Sequence, residues 1–254
     1  MNILPQSKAH IGKRLETAAE IAAVRLSGEE NIPLCGIDVG TDHAYLPILL
    51  VEKYGFSHVT ACDINEGPCE TARKNIHEAG KDFSERIDVV RTDGLSGLSE
   101  VFCNRITIAG MGGELIRDIL RRADFLLDEK HRGKILFVLQ PQSRAHLLRD
   151  YLFETGYRIE RDTLCEDGGK IYPVLSAVYD GTAREESELC RYFGSEMPRL
   201  RGELFARDFL SKYARLKQNS RARGGKCEGR SAAVHAREEK LLSEMEQYLK
   251  ENPL

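Results

Sequence analysis

Apolar positions in the first two thirds of the chain follow two alternating patterns. Short apolar runs, rich in β-branched residues, predict buried strands at 34–39, 58–62, 86–90, 104–109 and 134–139. Amphipathic segments with apolar residues three or four positions apart predict helices at 11–25, 47–54, 67–79, 114–123 and 143–155. This alternation is typical of a mostly parallel sheet covered on both faces, so it predicts an α/β, doubly wound fold.

Two further strands are predicted at 157–165 and 170–179. The link between them, Glu166-Asp167-Gly168-Gly169, is too short for a parallel crossover, so the two strands must form an antiparallel hairpin. The sequence therefore predicts a mostly parallel sheet of seven strands that ends in an antiparallel hairpin.

The strand pattern stops after Asp180-Gly181, and long charged helical segments follow. Two sets of apolar residues each fit one helical face: Phe205, Phe209, Tyr213 and Leu216 in the first, and Val234, Leu241, Met245 and Tyr248 in the second. Residues 219–230, rich in Gly, Arg and Ser, predict a loop between them. We therefore predict an α/β domain at 1–181 and a coiled-coil-like, antiparallel helical hairpin at 182–254.

Composition excludes several classes of protein. With 41% hydrophobic and 30% charged residues, the 254 residues suit an ordinary globular protein with one large domain and an appendage. The longest apolar run, 44–51, is far shorter than the roughly 20 residues that span a bilayer, so no membrane segment is expected. No apolar run follows a basic start, so no secretory signal is expected. Seven cysteines without a CxxC pair argue against disulfides or a zinc site and favour the cytoplasm.

Glycine or an acidic residue follows three of the predicted strands. Gly40, Asp63 and Asp93 come at their carboxyl ends, which meet at the crevice where ligands bind in such folds. Gly40 would let a ligand approach the backbone, Asp63 could accept hydrogen bonds from a ribose, and Asp93 could accept one from an adenine amino group. Each acid alone is also compatible with a helix cap or a solvated turn. Their order and spacing together indicate a nucleoside cofactor.

The residue two positions after Gly40 distinguishes between nucleoside cofactors. A dinucleotide-binding turn has the pattern GxGxxG, whereas Asp42 stands here at the second glycine position, and its carboxylate would repel a pyrophosphate. S-adenosylmethionine has no phosphate, and a carboxylate attracts its sulfonium and α-amino groups. The first turn therefore favours this methyl donor over NAD.

A glycine-rich turn, residues 109–113, follows the fourth strand and precedes a helix. By itself it is compatible with an ordinary tight turn or with a phosphate cradle. Because it faces the first turn across the crevice, it lies where a methyl acceptor must bind in such a fold.

Six motifs resemble those of the bacterial tRNA (adenine-22 N1)-methyltransferases of the TrmK type. They are DVGTDHAYLP at 38–47, DINEGP at 63–68, DGL at 93–95, IAGMGG at 108–113, LQPQ at 139–142 and EDGGKIY at 166–172. Thr41 stands where the family usually has serine, Gln142 stands where it usually has asparagine, and Gly169 lengthens the late turn. The resemblance implies a class I, Rossmann-like, S-adenosylmethionine-dependent domain followed by a helical, coiled-coil-like domain. It also implies methylation of N1 of an adenine, expected to be adenine 22, in tRNA.

Adenine N1 carries a lone pair at neutral pH, so its methylation needs in-line alignment rather than a strong base. We expect Asp42 to stabilise the cationic product ring, Tyr45 to stack on or hydrogen-bond the base, and His43 to shape the loop. The alternative is that Asp42 binds the methionine amino group and His43 only hydrogen-bonds the backbone. Gln140 and Gln142 are expected to read the adenine edge.

The remaining expected contacts divide between cofactor and acceptor. The cofactor contacts are expected at Asp38, Gly40, Asp63, Ile64, Asp93, Gly94, Ala109 and Gly110. Met111 and Gly112, in the glycine-rich turn, are expected beside the acceptor base.

The net charge of −3 argues at first against a nucleic-acid partner, but the charge is unevenly distributed. Residues 1–181 carry −6, residues 182–254 carry +3, and residues 199–230 alone carry +7. Arg221, Arg223 and Lys226 in the predicted loop are therefore expected to contact tRNA phosphates. Further arginines expected near the crevice are Arg14, Arg25, Arg144 and Arg149.

Two other functions stay open on the sequence alone. One is a class I methyltransferase that acts on another RNA, a protein or a small molecule, with the helical tail serving dimerisation. The other is a non-catalytic RNA-binding protein on a decayed methyltransferase fold, against which the intact Asp38, Gly40, Asp63 and Asp93 weigh. The sequence does not determine the oligomeric state, although a monomer is favoured, and no metal is expected.

Overall fold

The computed structural model describes residues 11–194, 202–223 and 230–252 and contains a seven-stranded sheet. The strands are β1 (Cys35–Val39), β2 (His58–Asp63), β3 (Ile87–Arg91), β4 (Arg105–Gly112), β5 (Leu136–Ser143), β6 (Tyr157–Asp167) and β7 (Lys170–Tyr179). The helices that accompany the sheet are α1 (Lys13–Ala22), α2 (Tyr45–Tyr54), α3 (Glu66–Ala79), α4 (Lys81–Arg86), α5 (Gly113–Arg122) and α6 (Ala145–Thr155), with a 3₁₀ helix at Asp124–Leu127.

The strands lie in the order β3-β2-β1-β4-β5-β7-β6. The first five are parallel, and β7 is antiparallel to both β5 and β6, so the predicted parallel sheet with a terminal hairpin is confirmed. From β1 the chain builds outwards through β2 and β3, and then returns to the other side of β1 with β4. Ligands bind at such a reversal, at the carboxyl ends of the strands, here β1 and β4.

Each face of the sheet has its own apolar core. On β5, Leu136 and Val138 pack with residues of α1, α2 and α3, whereas Phe137 and Leu139 pack with residues of α5 and α6. Neighbouring residues of a strand point to opposite faces, so a strand buried on both sides needs an unbroken apolar run. The two cores hold the carboxyl ends of the central strands in fixed positions.

A second compact unit, Arg184–Leu254, follows the first, Met1–Ala183. Its described helices are α7 (Glu188–Phe193), α8 (Glu203–Arg223) and α9 (Arg230–Glu251). Phe205 near the start of α8 contacts Tyr248 near the end of α9, and the Tyr213 hydroxyl donates to Glu246 at 3.0 Å. The two long helices are therefore antiparallel.

Two details of the predicted helical hairpin are wrong. Val234, assigned to the apolar seam, is 51% exposed, whereas Phe193 of the unpredicted helix α7 is buried and stacks on Phe209 at 4.7 Å. Residues 219–223, predicted to belong to a loop, are helical, because α8 continues to Arg223. Residues 219–223 contain no glycine or proline to end the helix, and the first glycines are at 224 and 225.

None of the helices in the described segments is long and apolar enough to cross a membrane. Within the same segments, no three His, Cys, Asp or Glu side chains are grouped closely enough to hold a metal ion.

Candidate active site

A crevice of about 360 Å³ opens at the carboxyl ends of β1 and β4. This volume is in the range of small-molecule sites. The sequence-predicted residues that line it are Asp38, Gly40, Asp42, His43, Tyr45, Asp63, Ala109, Gly110, Met111 and Gln142. The turn after β1 and the last residues of β1, β2, β4 and β5 therefore meet in one site, although they are far apart in the chain.

Asp38 is the buried acid of the crevice. Its Oδ1 accepts a hydrogen bond of 2.6 Å from the Thr107 hydroxyl on β4. Burial raises the pKa of Asp38 to about 6, and the Thr107 hydrogen bond partly offsets that rise. An ionised carboxylate with so little water around it is costly, and a cation bound beside it would lower that cost.

Gly40 allows the turns after β1 and β4 to come into contact. Its φ is +76°, and a Cβ at this position would lie 2.1 Å from the methyl carbon of Met111. The amides of Gly40 and Thr41 both donate to the Cys62 carbonyl of β2, at 2.8 and 3.0 Å. Glycine is thus required here both by the left-handed backbone and by the close approach of a neighbouring side chain.

Asp63 is the last residue of β2 and also lines the crevice. Its Oδ1 accepts a 3.0 Å hydrogen bond from the amide of Asn65, and its Oδ2 has no hydrogen-bond partner among the described residues. That oxygen can still accept a ligand hydroxyl. Ile64, also predicted to contact the cofactor, is 54% exposed but does not line the crevice.

The loop from Asp42 to Tyr45 is strained and exposes its polar side chains. Asp42 and Ala44 have φ values of 49° and 57°, a conformation that few non-glycine residues adopt and that is frequent at functional sites. His43 lies 3.5 Å from Asp42 and its ring stacks on Tyr45 at 5.3 Å. Asn75 of α3 donates to the His43 carbonyl at 2.9 Å. The Asp42 side chain is 68% exposed, so it can approach a ligand in the crevice.

Gln140 does not reach the crevice, and its predicted role in reading the adenine edge is wrong for this structure. The side chain is completely buried. Its Oε1 accepts hydrogen bonds from the Gly110 amide at 3.1 Å and from Arg14 at 3.3 Å, and its Nε2 donates to the Pro141 carbonyl. Gln140 therefore supports the glycine-rich turn from behind, whereas Gln142 lines the crevice.

Asp93, Gly94 and Gly112 also lie outside the crevice lining. Both carboxylate oxygens of Asp93 accept hydrogen bonds from Arg122, at 2.9 and 3.1 Å. A Cβ on Gly94 would lie 3.0 Å from Ile119 of α5, so this glycine permits close packing. Contact of Asp93 with an adenine amino group stays a prediction.

Arg14, which was expected near the crevice, lines its wall, and three further lining residues were not assigned to the cofactor or the reaction: Leu15, Thr41 and Leu46. Arg14 and Leu15 belong to α1, which no motif connects with the strand ends. The hydroxyl of Thr41 is buried close enough to Asp38 to lower the pKa of that carboxyl, but no hydrogen bond of ordinary geometry joins it to a described residue. A bound ligand could supply that partner.

The arginines predicted near the crevice have different surroundings. Arg149 is buried and pairs with Asp162 at 2.7 Å, and Arg25 donates to the carbonyls of Glu29 and Ile32, so both have structural contacts instead. Arg144 is exposed and pairs with Glu114 at the start of α5. Arg221 and Arg223 lie in the last turn of α8, and their side chains, like the whole of Lys226, are outside the described residues.

A family model and a relative of known function identify the same family. The model of the tRNA (adenine(22)-N(1))-methyltransferase family matches residues 36–249. The Bacillus subtilis tRNA (adenine(22)-N(1))-methyltransferase is 34% identical over 180 residues, which are 67% of this chain and 69% of that protein.

Solved structures show the same fold. A Streptococcus pneumoniae protein, described as a putative tRNA (m1A22) methyltransferase in complex with S-adenosyl-L-methionine, is 28% identical with a TM-score of 0.74, and the alignment covers 93% of this chain and 99% of that chain. The Mycoplasma capricolum TrmK structure with S-adenosyl-homocysteine is 21% identical with a TM-score of 0.72 and covers 94% of this chain and 97% of that one. At that identity it supports the fold alone.

Proposed function

This chain belongs to the tRNA (adenine(22)-N(1))-methyltransferase family, and from that premise we propose how its residues carry out S-adenosylmethionine-dependent methylation of N1 of an adenine in tRNA. The proposal rests on one observation: a single crevice is lined by Asp38, Gly40, Asp63 and residues of the glycine-rich turn. S-adenosylmethionine supplies an electrophilic methyl group on a positively charged sulfur. The residues of the chain bind, orient and surround the two reactants.

The donor set of the crevice fits this methyl donor. Asp38 and Asp63 supply carboxylates for a ligand that carries two positive groups and a ribose, and Thr41 supplies a buried hydroxyl that no hydrogen bond of ordinary geometry joins to a described residue. Gly40 leaves the backbone of the first turn open to close approach. We propose that Asp63 accepts the ribose hydroxyls, and that Asp38 provides the negative charge beside the methionine part.

The acceptor base is proposed to lie between the strained loop and the glycine-rich turn. The stacked rings of His43 and Tyr45 offer an aromatic surface for a purine, and Met111 and Gln142 line the same crevice. Adenine N1 needs no base to attack, so the residues act mainly by alignment. Asp42 stabilises the positive charge that develops on the ring. The alternative, in which Asp42 binds the methionine amino group, predicts a loss of cofactor affinity instead of turnover.

The second unit is proposed to bind the tRNA backbone. Residues 199–230 carry a net charge of +7, and a patch of that sign attracts phosphates in a salt-dependent way. The target adenine has to leave its stack to enter a crevice of this size, as in other enzymes that modify bases. We further propose that the protein acts in the cytoplasm, because its seven cysteines lack a CxxC pair and its substrate is tRNA. We propose that it acts there as a monomer.

The proposal is tested with unmodified tRNA and S-adenosylmethionine labelled in the methyl group. We expect one N1-methyladenosine per tRNA, mapped to position 22, and no label when that adenine is replaced by guanine. Label at another adenine would show that the enzyme modifies a different position of the tRNA. Label only in protein or in small molecules would favour a class I methyltransferase with another substrate. Absence of any transfer together with absence of cofactor binding would favour the non-catalytic alternative.

A further inference from the structure

A second cavity, of about 560 Å³, opens at the amino ends of β4 and β5, at the opposite edge of the sheet from the crevice. It lies between the loops before β1, β4 and β5, at residues 26–32, 99–104 and 125–135. Its volume is in the range of small-molecule sites, and none of its described lining residues lines the crevice. Its occupant is therefore separate from the cofactor and the acceptor base.

The floor of this cavity is apolar. Ile37, Ile106 and Ile135 line it, are at most 3% exposed and belong to the core on the face of the sheet that α5 covers. Cys103 adds a thiol that stays neutral, because burial raises its pKa to about 12. A ligand that fills the cavity gains free energy by bringing an apolar body into contact with this floor.

Three aromatic rings line the same cavity. Phe125 and His131 meet edge to face with ring centroids 6.1 Å apart, and the Phe125 carbonyl accepts a 2.9 Å hydrogen bond from Nδ1 of His131. Phe102 is 66% exposed, and Ile32, which also lines the cavity, is 41% exposed. Because aromatic rings gain free energy by stacking or meeting edge to face, these walls favour a ligand with an aromatic body.

The charged side chains of the lining leave an excess of one positive charge. Lys130 and Lys134 are exposed and form no ion pair with any residue that the structure describes. Of the two lining carboxylates, that of Glu29 already accepts hydrogen bonds from Arg105 at 3.0 and 2.7 Å, which leaves that of Glu100 to oppose the lysines. Two lysines against one glutamate favour a ligand with a single negative charge.

We propose that this cavity binds a small aromatic molecule with one carboxylate, its ring against the apolar floor and its carboxylate beside Lys130 and Lys134. The alternative occupant is a second copy of the chain, which would cover the exposed Phe102 and Ile32. The depth of the cavity favours the small molecule, because a protein surface covers exposed side chains but does not fill a space whose floor is buried.

The test compares 2-naphthoate with 2-naphthamide, a neutral analogue with the same rings and nearly the same shape. Titration calorimetry on the full chain measures both, with and without S-adenosylmethionine. We expect the wild-type protein to bind 2-naphthoate with a Kd of about 1 mM or lower, as its number of atoms allows. Binding should be about 5-fold tighter than that of the amide, because exposed charge pairs contribute modestly.

Two sets of substitutions at exposed positions separate charge from apolar contact. Lys130→Met combined with Lys134→Met should abolish the preference by lowering the affinity for 2-naphthoate alone. Phe102→Ala should weaken the binding of both probes by similar factors, since it removes an aromatic contact and no charge. The matched control, Lys74→Met combined with Lys81→Met, removes the same charge from exposed lysines that line neither cavity, and should leave both affinities unchanged.

The proposal would be overturned if the wild-type protein does not bind 2-naphthoate at about 1 mM, binds both probes equally, or keeps its preference in the double lysine variant. Loss of 2-naphthoate binding in the presence of S-adenosylmethionine would place the probe in the crevice and would also overturn it. A dimer in sedimentation that Phe102→Ala abolishes would assign this surface to a second copy instead. None of the substitutions changes a crevice residue, so these outcomes are independent of methyl transfer.

Discussion

Replacing Asp38 by asparagine should stabilise the protein without ligand while impairing cofactor binding. Asp38 is almost completely buried, and its pKa rises from 3.8 to about 6 because burial disfavours the charged form. Asparagine has nearly the same shape, keeps an oxygen to accept the Thr107 hydrogen bond, and carries no charge to bury. The substitution therefore removes the cost of ionisation and leaves the packing unchanged.

The size of the effect follows from the pKa. The folded protein binds the proton of Asp38 more tightly than the unfolded chain, so this group favours folding below pH 3.8 and its contribution is lost as the pH rises through about 6. Each pKa unit corresponds to about 1.4 kcal/mol, so ionised Asp38 costs at most about 3 kcal/mol at pH 8. At pH 5 the cost is about 1.5 kcal/mol, because the folded carboxyl is then mostly protonated.

The assay is urea unfolding of wild-type protein and Asp38→Asn, without ligand, at pH 8 and pH 5. The advantage of the variant in unfolding free energy should be largest at pH 8 and should shrink by about half at pH 5. Asp128→Asn is the matched control, because the Asp128 side chain is exposed and makes no hydrogen bond or ion pair with any residue that the structure describes, and it should change stability by less than about 0.5 kcal/mol. In calorimetry at pH 8, Asp38→Asn should bind S-adenosylmethionine more weakly than the wild type.

The reasoning would be refuted by an Asp38→Asn protein that is less stable than the wild type at pH 8, or whose stability difference does not depend on pH. Either result would mean that burial does not penalise the carboxylate as the structure indicates. If Asp38→Asn is more stable but binds the cofactor as tightly as the wild type, burial does penalise the carboxylate, but Asp38 is not a cofactor contact.

Three further predictions concern the crevice and the RNA. Gly40→Ala should lower the unfolding free energy by about 1–2 kcal/mol in thermal unfolding and remove most of the cofactor affinity. The reason is that φ is +76° and the added Cβ would meet the Met111 methyl group. Unchanged values would show that the turn after β1 can move away from Met111. Asp42→Asn, which tolerates the left-handed backbone, should lower kcat on the order of 100-fold with unchanged cofactor affinity, and a selective loss of affinity would favour the amino-group alternative. Replacing Arg221, Arg223 and Lys226 by alanine should raise the KM for tRNA and flatten its salt dependence without affecting S-adenosylmethionine binding, and an unchanged KM would exclude these side chains from RNA contact.

Local sequence patterns were sufficient to locate the site residues that lie at the ends of strands. Gly40 and Asp63 follow β1 and β2, and parallel topology alone brings the ends of adjacent strands together. The charge of the first turn added Asp42, and the methylation chemistry that the family implies added His43 and Tyr45; all three also line the crevice. These residues share one property: their location depends on the order of strands and not on side-chain packing.

Where the location of a residue depends on packing, the sequence did not separate correct assignments from incorrect ones. Gln140 and Gln142 are two positions apart in one motif, yet Gln140 is buried behind the glycine-rich turn and Gln142 lines the crevice. Arg149 and Arg14 are both arginines on helices, but one is buried against Asp162 and the other reaches the crevice. Such differences depend on partners more than ten residues away, and no local pattern contains them.

The sequence by itself determined the alternating α/β architecture, the antiparallel hairpin and the preference for a cofactor without phosphate. These properties follow from the periodicity of apolar residues and from the charge of a single turn, both of which are local. Only the tertiary structure brought Arg14 of α1 beside Gly110 of β4, through contacts with Gln140 and Asp167 that span 126 and 153 residues. Contacts of that range depend on how helices dock on the completed sheet, which is why the sequence placed Arg14 near the crevice without showing what it contacts there.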